Sequence, residues 1–368
     1  MSRGRTIIVA MSGGVDSSVA AALLVEQGHH VIGVTMKTFC YSEKVTNGKT
    51  CCGLDGIIDA RRVAGSLGIP HYVFDMEESF TSAVIDDFVG EYAAGRTPNP
   101  CVRCNSNTKI PDLLERGRRF GAGAVATGHY ARSEVGADGV VRVRRGVDPA
   151  KDQTYFLWGV PSEAIASLRF PVGELTKAEV RAYARRLGLS TADKPESQEI
   201  CFVPHGTYAD FLATRLGVDH TALRPGSLVT SAGAKVGDHQ GYARYTVGQR
   251  RGLGGGFRKP LYVLGVRPEA NEVVVGSADE LYRDDVALGD LNWITEPPAE
   301  GERVYLQLRH RAPAAAATVT HIDARKASFR LEEPQRAVTP GQSGVAYRGE
   351  VLIGGGRIRE SRAIGAAG

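Results

Sequence analysis

The chain has 368 residues, with 45 lysine and arginine residues against 41 aspartate and glutamate residues and a formal net charge of +4. Its composition, 42% hydrophobic and 23% charged, is typical of a globular protein and excludes a disordered chain, and its length predicts two or three domains. No apolar run approaches the roughly 20 residues of a membrane-spanning helix, and the N-terminus lacks a signal-peptide layout, so we expect a cytoplasmic protein with no membrane contact.

Strand and helix patterns alternate through the first part of the chain. Strands are predicted at 5–11, 30–36, 69–75 and 123–128. Helices are predicted between them at 16–28, 56–67 and 80–92. This alternation predicts a parallel sheet with right-handed crossovers, in which ligands bind at the carboxyl ends of the strands.

The pattern changes in the later part of the chain. A capping box at Thr176 and Glu179 predicts a helix that ends near Leu187, and a short helix is predicted at 208–216. From Asp285 onward apolar and polar residues alternate, which predicts an antiparallel β-barrel. The predicted fold class is therefore α/β, with an α/β domain at 1–205, a small central β-rich domain at 206–284 and a C-terminal β-barrel at 285–368.

Residues 12–18 read Ser-Gly-Gly-Val-Asp-Ser-Ser and join the first predicted strand to the first predicted helix. Backbone N–H groups of such a Gly-rich turn converge with the N-terminus of the helix, which suits an anion. The segment has no lysine, so it is not the phosphate-binding loop of kinases and GTPases. A turn that needs its glycines only for geometry is the alternative, but it leaves Asp16 and the hydroxyl residues unexplained.

Cysteines provide the second chemical pattern. Cys101 and Cys104 form a C-x-x-C motif and Cys201 follows about a hundred residues later, an arrangement that is compatible with redox, zinc or iron–sulfur chemistry. An enzyme that transfers sulfur needs one thiolate to carry a persulfide and a second thiol to resolve it. Arg103 and Lys109 are candidates to lower a thiol pKa.

The remaining cysteines and the arginines are less specific. Cys40, Cys51 and Cys52 are interpreted as packing residues, although a flap or a second redox pair at 51–52 is the alternative. Arginine clusters in Gly-rich or strand segments favour a polyanionic partner. They lie at 116–119, 142–145, 250–251 with 258–259, and 309–311.

The loop at 12–18 resembles the PP-loop of the ATP pyrophosphatases, and the chain as a whole resembles the bacterial tRNA-specific 2-thiouridylase family. The resemblance covers nearly the whole sequence. Its matching segments are 12–18, 95–100, 104–105, 127–131, 151–157, 197–202, 245–254 and 340–342. It implies a PP-loop ATP pyrophosphatase domain at 1–205 and a tRNA-binding barrel at 285–368.

The resemblance also implies the reaction, which is ATP-dependent thiolation of the wobble uridine of tRNA at C2. The base oxygen attacks the α-phosphate of ATP to release pyrophosphate, and sulfur from a persulfide then displaces AMP. ATP and Mg²⁺ are implied, with Asp16 as a Mg²⁺ ligand. The implied ATP contacts are Ala10, Met11, Ser12, Gly13, Gly14, Val15, Asp16, Ser17, Met36 and Gly128.

Within this resemblance Cys201 carries the persulfide, and Cys104 is the nucleophile toward it or the resolving thiol. A sulfur-relay protein or a cysteine desulfurase is the implied sulfur donor. The base, flipped out of the anticodon loop, is expected to contact Asn99, Pro100 and Cys101. Further tRNA contacts are expected at His129, Lys151, Asp152, Gln153, Arg309, His310 and Gln342.

One residue departs from the family pattern, because Cys101 stands where the best-described members have aspartate. A [4Fe–4S] cluster on Cys101, Cys104 and Cys201 is therefore an alternative to the persulfide. A different PP-loop amidating enzyme is an alternative function, although it leaves the cysteines without a role. A non-catalytic RNA-binding protein is a third hypothesis, which the intact loop argues against.

Overall fold

The computed structural model describes residues 5–38, 54–196, 200–203, 207–257 and 259–362. It contains three sheets: a parallel sheet of five strands, a small sheet of four strands, and a larger antiparallel sheet that closes on itself. None of the helices in these ranges is both long and apolar enough to cross a membrane.

The parallel sheet is built from the first part of the chain. Its strands are β1 (Thr6–Ala10), β2 (His30–Lys37), β3 (His71–Asp75), β4 (Ala124–Thr127) and β7 (Leu168–Arg169), in the order β3-β2-β1-β4-β7. β1 is central because it pairs in parallel with both β2 and β4. The four strands that the sequence predicts are confirmed, whereas the two-residue β7 was not predicted.

Helices cover both faces of this sheet and provide its connections. They are α1 (Val15–Glu26), α2 (Leu54–Ser66), α3 (Glu77–Phe80), α4 (Asp86–Ala93), α5 (Pro100–Arg103), α6 (Ile110–Arg119), α7 (Ser162–Ile165) and α8 (Lys177–Arg186). The helix predicted at 80–92 is α3 and α4 joined by a π-helical turn at Thr81–Ile85. The capping box at Thr176 and Glu179 is present at the start of α8.

The central segment forms its own small sheet. It begins with α9 (Tyr208–Leu216) and continues with β8 (Gly226–Thr230), β9 (Lys235–His239), β10 (Tyr262–Arg267) and β11 (Glu272–Gly276). The strand order is β10-β11-β8-β9. Buried residues of this sheet pack with α4, so the central unit rests on the first unit through a shared aromatic core that includes Phe80, Phe88 and Phe202.

The C-terminal strands form a closed antiparallel barrel, as the sequence predicts. They are β12 (Tyr282–Trp293), β13 (Arg303–Gln307), β14 (Ala315–Ile322), β15 (Ala327–Arg336), β16 (Ser343–Arg348) and β17 (Val351–Arg362), and β12 pairs with both β15 and β17. A hairpin from the first part of the chain, β5 (Ala131–Val135) and β6 (Val141–Arg145), extends the barrel sheet at β17. One hydrophobic core runs from Ile8 of β1 to Tyr347 of the barrel.

A buried ionic network joins the barrel to the first unit. Arg357 of β17 is 9% exposed at its side chain and lies 2.9 Å from Asp87 Oδ1 and 2.9 Å from Glu91 Oε1, both on α4. Arg96 also binds Glu91, at 2.6 Å. Burial alone would raise the pKa of Glu91, but the hydrogen bond from Arg96 and the charge of Arg357 lower it. The network therefore fixes α4 against the barrel.

We predict that Arg357→Met lowers the free energy of unfolding by about 3 kcal/mol, because it leaves two partly buried carboxylates without their shared cation. Urea unfolding followed by circular dichroism measures the change. Arg303→Met is the matched control, since the Arg303–Glu332 pair of the barrel is half exposed and should contribute at most about 1 kcal/mol. Equal losses in the two variants would contradict the role of the buried network.

Candidate active site

The loop after β1 folds tightly against the helices around it. Gly13 has φ +73°, and a Cβ there would lie 2.2 Å from the carbonyl oxygen of Gly56 on α2, so only glycine fits. The hydroxyl of Ser17 accepts a hydrogen bond from the backbone N–H of Ser12 at 3.2 Å and donates to Gly14. Of the predicted ATP contacts in this loop, Met11 and Val15 are buried, so they face a ligand through their backbone alone.

The remaining predicted ATP contacts lie on the same edge of the sheet. Met36 is near the end of β2 and Gly128 directly follows β4, and these strands flank β1 on its two sides. A Cβ at Gly128 would lie 2.6 Å from the backbone nitrogen of Ser17. The chain therefore passes against the first turn of α1 at this point, and the predicted nucleotide contacts converge at the carboxyl ends of three strands.

Asp16 is held by two donors that the sequence did not assign to it. The ammonium of Lys177 lies 2.7 Å from Oδ1 and 2.8 Å from Oδ2, and the hydroxyl of Tyr130 donates to Oδ1 at 2.7 Å. Burial, and then the negative charge of Asp16, raises the pKa of Tyr130 well above its usual range, so its hydroxyl remains a donor. The carboxylate of Asp16 suits a hard cation such as Mg²⁺, but in this structure the ammonium of Lys177 is hydrogen-bonded to both of its oxygens.

Cys101 and Cys104 lie on a short helical segment. Asn99 caps α5 by accepting a hydrogen bond from the backbone N–H of Val102, and the chain continues as a π-helical turn over Cys104–Lys109. π-Turns of this kind are frequent at functional sites. The three-residue spacing places the two cysteines on the same side of the helical segment.

The environment of Cys101 keeps its thiol protonated. Burial raises the pKa of this thiol to about 11, the negative charge of Cys104 adds to the rise, and Lys109 opposes it. The residue as a whole is nevertheless exposed. Cys101 is therefore accessible to a ligand, while its surroundings disfavour the thiolate.

His129 is the second group on which Lys109 acts. Burial and, to a smaller extent, the positive charge of Lys109 together lower the pKa of its imidazole to about 3. Because Lys109 acts on both Cys101 and His129, its ammonium connects the cysteine segment electrostatically to the loop that follows β4. The Nδ1 atom of His129 lies 2.7 Å from the hydroxyl of Thr127, which orients the ring.

The barrel brings its predicted tRNA contacts to the cysteine segment. Gln342 donates hydrogen bonds to the carbonyl oxygens of Thr97 and Pro98, at 2.9 and 3.1 Å, immediately before Asn99 and Pro100. The ring of His310 packs on Phe156 with centroids 4.4 Å apart.

Arg309 is exposed, and burial lowers the pKa of its neighbour His310. The structure thus brings Gln342 to residues 97–98, and it places His310 on Phe156, whose carbonyl oxygen accepts a hydrogen bond from Asn105.

Residues 151–153 have a different environment. The ammonium of Lys151 lies 2.8 Å from Glu196. Asp152 is 6% exposed at its side chain and binds Arg145 at 2.7 Å, and Gln153 accepts a hydrogen bond from the backbone of Tyr130. Asp152 therefore has a structural use within the protein, and Lys151 is the member of this segment with a charge near the surface.

Cys201 lies beside Phe202 and packs, like Cys104, against the aromatic core shared by α4 and the central unit. Arg103 forms its ion pair with Asp87, 3.4 Å away, and Lys109 is the cation that acts on Cys101.

Among the described residues, no group of three His, Cys, Asp or Glu side chains is placed to hold a metal ion. As arranged in this structure, Cys101, Cys104 and Cys201 therefore do not fit a preformed [4Fe–4S] site.

Some sequence predictions concern residues outside the described ranges, and one arginine cluster has different partners in the structure from those that the sequence favoured. Cys40, Cys51 and Cys52 are outside the described ranges, as are residues 197–199 of the motif before Cys201. The arginines of the β5–β6 hairpin, which favoured a polyanion in the sequence, pair with carboxylates instead. The pairs are Arg142–Asp138, Arg144–Glu134, Arg144–Glu350 and Arg145–Asp152.

Sequence reasoning missed the cationic partners of the loop. The sequence patterns point to neither Lys177 nor Lys194, although the ammonium of Lys194 donates to the carbonyl oxygen of Gly13 at 2.9 Å. A signal was available, because a phosphate-binding loop that lacks its own lysine must obtain positive charge from other segments.

Comparison with known proteins gives a consistent result along the whole chain. Residues 5–205 match a family model described as the tRNA methyl transferase HUP domain. Residues 209–277 match the tRNA methyl transferase PRC-barrel domain, and residues 283–358 the aminomethyltransferase beta-barrel domain.

Full-length relatives are also found. The tRNA-specific 2-thiouridylase MnmA of Geobacter metallireducens is 49% identical over 358 residues, covering 96% of both chains. The protein of the same name from Geotalea uraniireducens is 48% identical and covers 97% of this chain and 96% of its own. That of Magnetococcus marinus is 46% identical, with 97% and 100% coverage.

We predict that the imidazole of His129 stays neutral between about pH 5 and 8, where an ordinary histidine titrates. Its folded pKa of about 3 lies below the value of 6.5 for an unperturbed histidine. The neutral ring therefore stabilises the fold above the unfolded pKa, and this contribution is lost as the pH falls toward the folded pKa. A histidine ¹H–¹⁵N NMR titration, with His129→Asn to assign the resonance, measures it; a midpoint near 6.5 would contradict the buried environment.

Proposed function

Because the chain belongs to the tRNA-specific 2-thiouridylase family, we propose that it uses ATP to replace the C2 oxygen of the wobble uridine in tRNA with sulfur. The enzyme is a tRNA-uridine 2-sulfurtransferase. The words methyl transferase in the family models do not describe this reaction, since a PP-loop and a pair of cysteines serve adenylation and sulfur transfer, and methyl transfer requires neither.

One observation carries the proposal, namely that Lys109 acts electrostatically both on the cysteine segment and on the residue next to the nucleotide loop. Gly128 lies against the first turn of α1, His129 is the next residue, and Lys109 influences both His129 and Cys101. A base in contact with Cys101 and an ATP at 10–17 would then share one active site. An amidating enzyme would need the loop but not the cysteines.

In the first step, the C2 oxygen of the uridine attacks the α-phosphate of ATP and pyrophosphate leaves. The backbone N–H groups of residues 12–17 and the N-terminus of α1 favour the phosphates. Bound Mg²⁺, held by Asp16, would offset the negative charge of the phosphates. The imidazole of His129 is neutral, so it acts on a bound substrate through hydrogen bonding rather than through an ion pair.

In the second step, the terminal sulfur of a Cys201 persulfide attacks C2 and AMP leaves. The thiolate of Cys104 then attacks Sγ of Cys201, the bond between the two persulfide sulfurs breaks, and its electron pair forms the thiocarbonyl. A Cys104–Cys201 disulfide results, and an external thiol reductant resets it. If Cys104 attacks the persulfide first, the released hydrosulfide is the species that attacks C2.

Cys101 has a role that differs from that of an aspartate. At neutral pH its thiol is protonated, because its pKa is about 11, so it neither accepts a proton as a carboxylate does nor carries charge. We assign it, with Asn99 and Pro100, to contact with the flipped base. The remaining tRNA contacts are assigned to His129, Lys151, Gln153, Arg309, His310 and Gln342, with Asp152 supporting this segment from within.

The donor of the persulfide sulfur is a separate protein, either a sulfur-relay protein or a cysteine desulfurase. Because both tRNA and ATP are cytoplasmic molecules, we place the reaction in the cytoplasm. The donor must deliver sulfur to Cys201, which is partly buried beside Phe202. Loading therefore requires that the donor or a movement of this segment exposes the thiol.

We predict that Cys201→Ser eliminates 2-thiouridine formation but retains tRNA-dependent release of pyrophosphate from ATP, because the first step needs no thiol. Mass spectrometry of digested tRNA measures the thiolated base, and ATP labelled at its γ-phosphate measures pyrophosphate in the same reaction. Pyrophosphate release therefore serves as the internal control for folding and tRNA binding. Full thiolation by the variant would contradict the role of Cys201 as the sulfur carrier. If the wild-type protein performs neither reaction, the proposed function itself is contradicted.

We predict that the wild-type protein purified without oxygen thiolates tRNA without bound iron. A cluster mechanism requires about four irons per chain with activity that follows them. Iron analysis and thiolation are measured on the same sample. Cys101→Asp is the informative variant: with a persulfide it retains thiolation, whereas with a cluster it loses both iron and activity.

A further inference from the structure

Four side chains of alternating charge connect the surface residue Lys151 to the nucleotide loop. Lys151 Nζ lies 3.0 and 2.8 Å from the two carboxylate oxygens of Glu196. Glu196 Oε1 lies 2.9 Å from Lys177 Nζ. Lys177 Nζ in turn lies 2.7 and 2.8 Å from the oxygens of Asp16. One continuous row of ion pairs therefore joins a predicted tRNA contact to the predicted Mg²⁺ ligand.

Lys177 is the shared member of this row. Its ammonium contacts two carboxylates at once, and its side chain is only 12% exposed. Its backbone is fixed as the first residue of α8, where its N–H donates to Asp148 at 3.0 Å and the capping box of Thr176 holds the helix start. With the backbone fixed, the ammonium lies between the two carboxylates that it contacts, Asp16 and Glu196.

The position of Lys177 opposes binding of a divalent cation at Asp16. An ammonium that occupies both carboxylate oxygens competes with Mg²⁺ for the same lone pairs, and the two cations repel one another. Magnesium–ATP therefore binds best when Lys177 has moved toward Glu196. The free energy of that movement depends on how strongly Glu196 is already neutralised by Lys151.

Glu196 remains available as an anion. Burial alone would raise the pKa of Glu196, but the hydrogen bonds from Lys151 and Lys177 lower it to about 2. Its side chain is 27% exposed and that of Lys151 29%, so an incoming phosphate can reach the outer pair. Phosphate and sugar oxygens accept most of the hydrogen bonds at protein–DNA interfaces, with lysine among the donors, and an RNA backbone offers the same phosphate oxygens.

We propose that Glu196 couples tRNA binding at Lys151 to magnesium–ATP binding at Asp16, with Lys177 as the residue that moves. A tRNA phosphate draws Lys151 away from Glu196, Glu196 then attracts Lys177, and Asp16 becomes free to bind the metal. The inference rests on the proposed function in one respect, namely that Lys151 contacts tRNA. Lys177 and Glu196 act as positioning residues, and neither needs to touch the reacting atoms.

The coupling predicts effects of opposite sign in two variants. The quantity measured is the dissociation constant of an ATP analogue that cannot be cleaved between its α- and β-phosphates. It is determined with Mg²⁺ and without tRNA. Lys151→Met should tighten binding, because Glu196 then forms its ion pair with Lys177 alone. Glu196→Gln should weaken binding, because Lys177 remains on Asp16. Isothermal titration calorimetry measures both, and the double variant should behave as Glu196→Gln does. Structural damage would not tighten binding.

In the wild type, saturating tRNA should tighten binding of the analogue by about tenfold, within the usual range of coupling between two sites. The analogue should tighten tRNA binding by the same factor. In Glu196→Gln this factor should fall to about one. Asp193→Asn is the matched control, because the Arg185–Asp193 pair is exposed and only three residues away; it should keep the wild-type factor.

The outcomes separate this inference from the proposed function. If Lys151→Met fails to tighten binding of the analogue, or Glu196→Gln keeps the coupling, the inference is overturned while thiolation remains. If the wild type does not bind tRNA at all, the proposed function itself fails. Binding of tRNA is measured independently by filter retention, so the two failures are distinguishable.

Discussion

The close contact between Gly128 and the first turn of α1 determines the geometry of the whole site. A single methyl group there would meet the backbone nitrogen of Ser17 at 2.6 Å, so the chain after β4 can lie against the loop only with glycine. This contact places His129 and Tyr130 beside the nucleotide site. Tyr130 then binds Asp16, and the backbone of Tyr130 binds Gln153, which attaches the predicted tRNA segment at 151–153 to the same structure.

A loop without lysine creates an electrostatic requirement that the rest of the chain meets. Backbone N–H groups and a helix terminus supply only partial charges, whereas ATP with Mg²⁺ brings several full ones. Lys177 from the start of α8 and Lys194 from the segment after it both reach the loop, and Lys194 also binds Asp59 of α2 at 2.6 Å. The positive charge of both lysines is thus held in ion pairs with carboxylates.

Local patterns in the sequence predicted the elements but not their contacts. The strands β1 to β4 and the C-terminal barrel followed from apolar runs and alternation, and the nucleotide loop followed from its glycines. The π-helical turns, the two-residue β7 and the β5–β6 hairpin on the barrel did not, because each depends on packing rather than on period. Asp16 and Lys177 are 161 residues apart, and the electrostatic action of Lys109 on both Cys101 and His129 likewise arises only when the chain folds.

The chemistry at position 101 follows from desolvation and not from the residue type alone. An aspartate in such an environment is pushed toward its neutral form, as is a thiol, because burial penalises any anion. Lys109 opposes that penalty at Cys101, yet the thiol pKa still rises to about 11. A neutral group at this position is therefore compatible with base contact in either case. Under the proposed function the thiolate chemistry therefore falls to Cys104 and Cys201 rather than to Cys101.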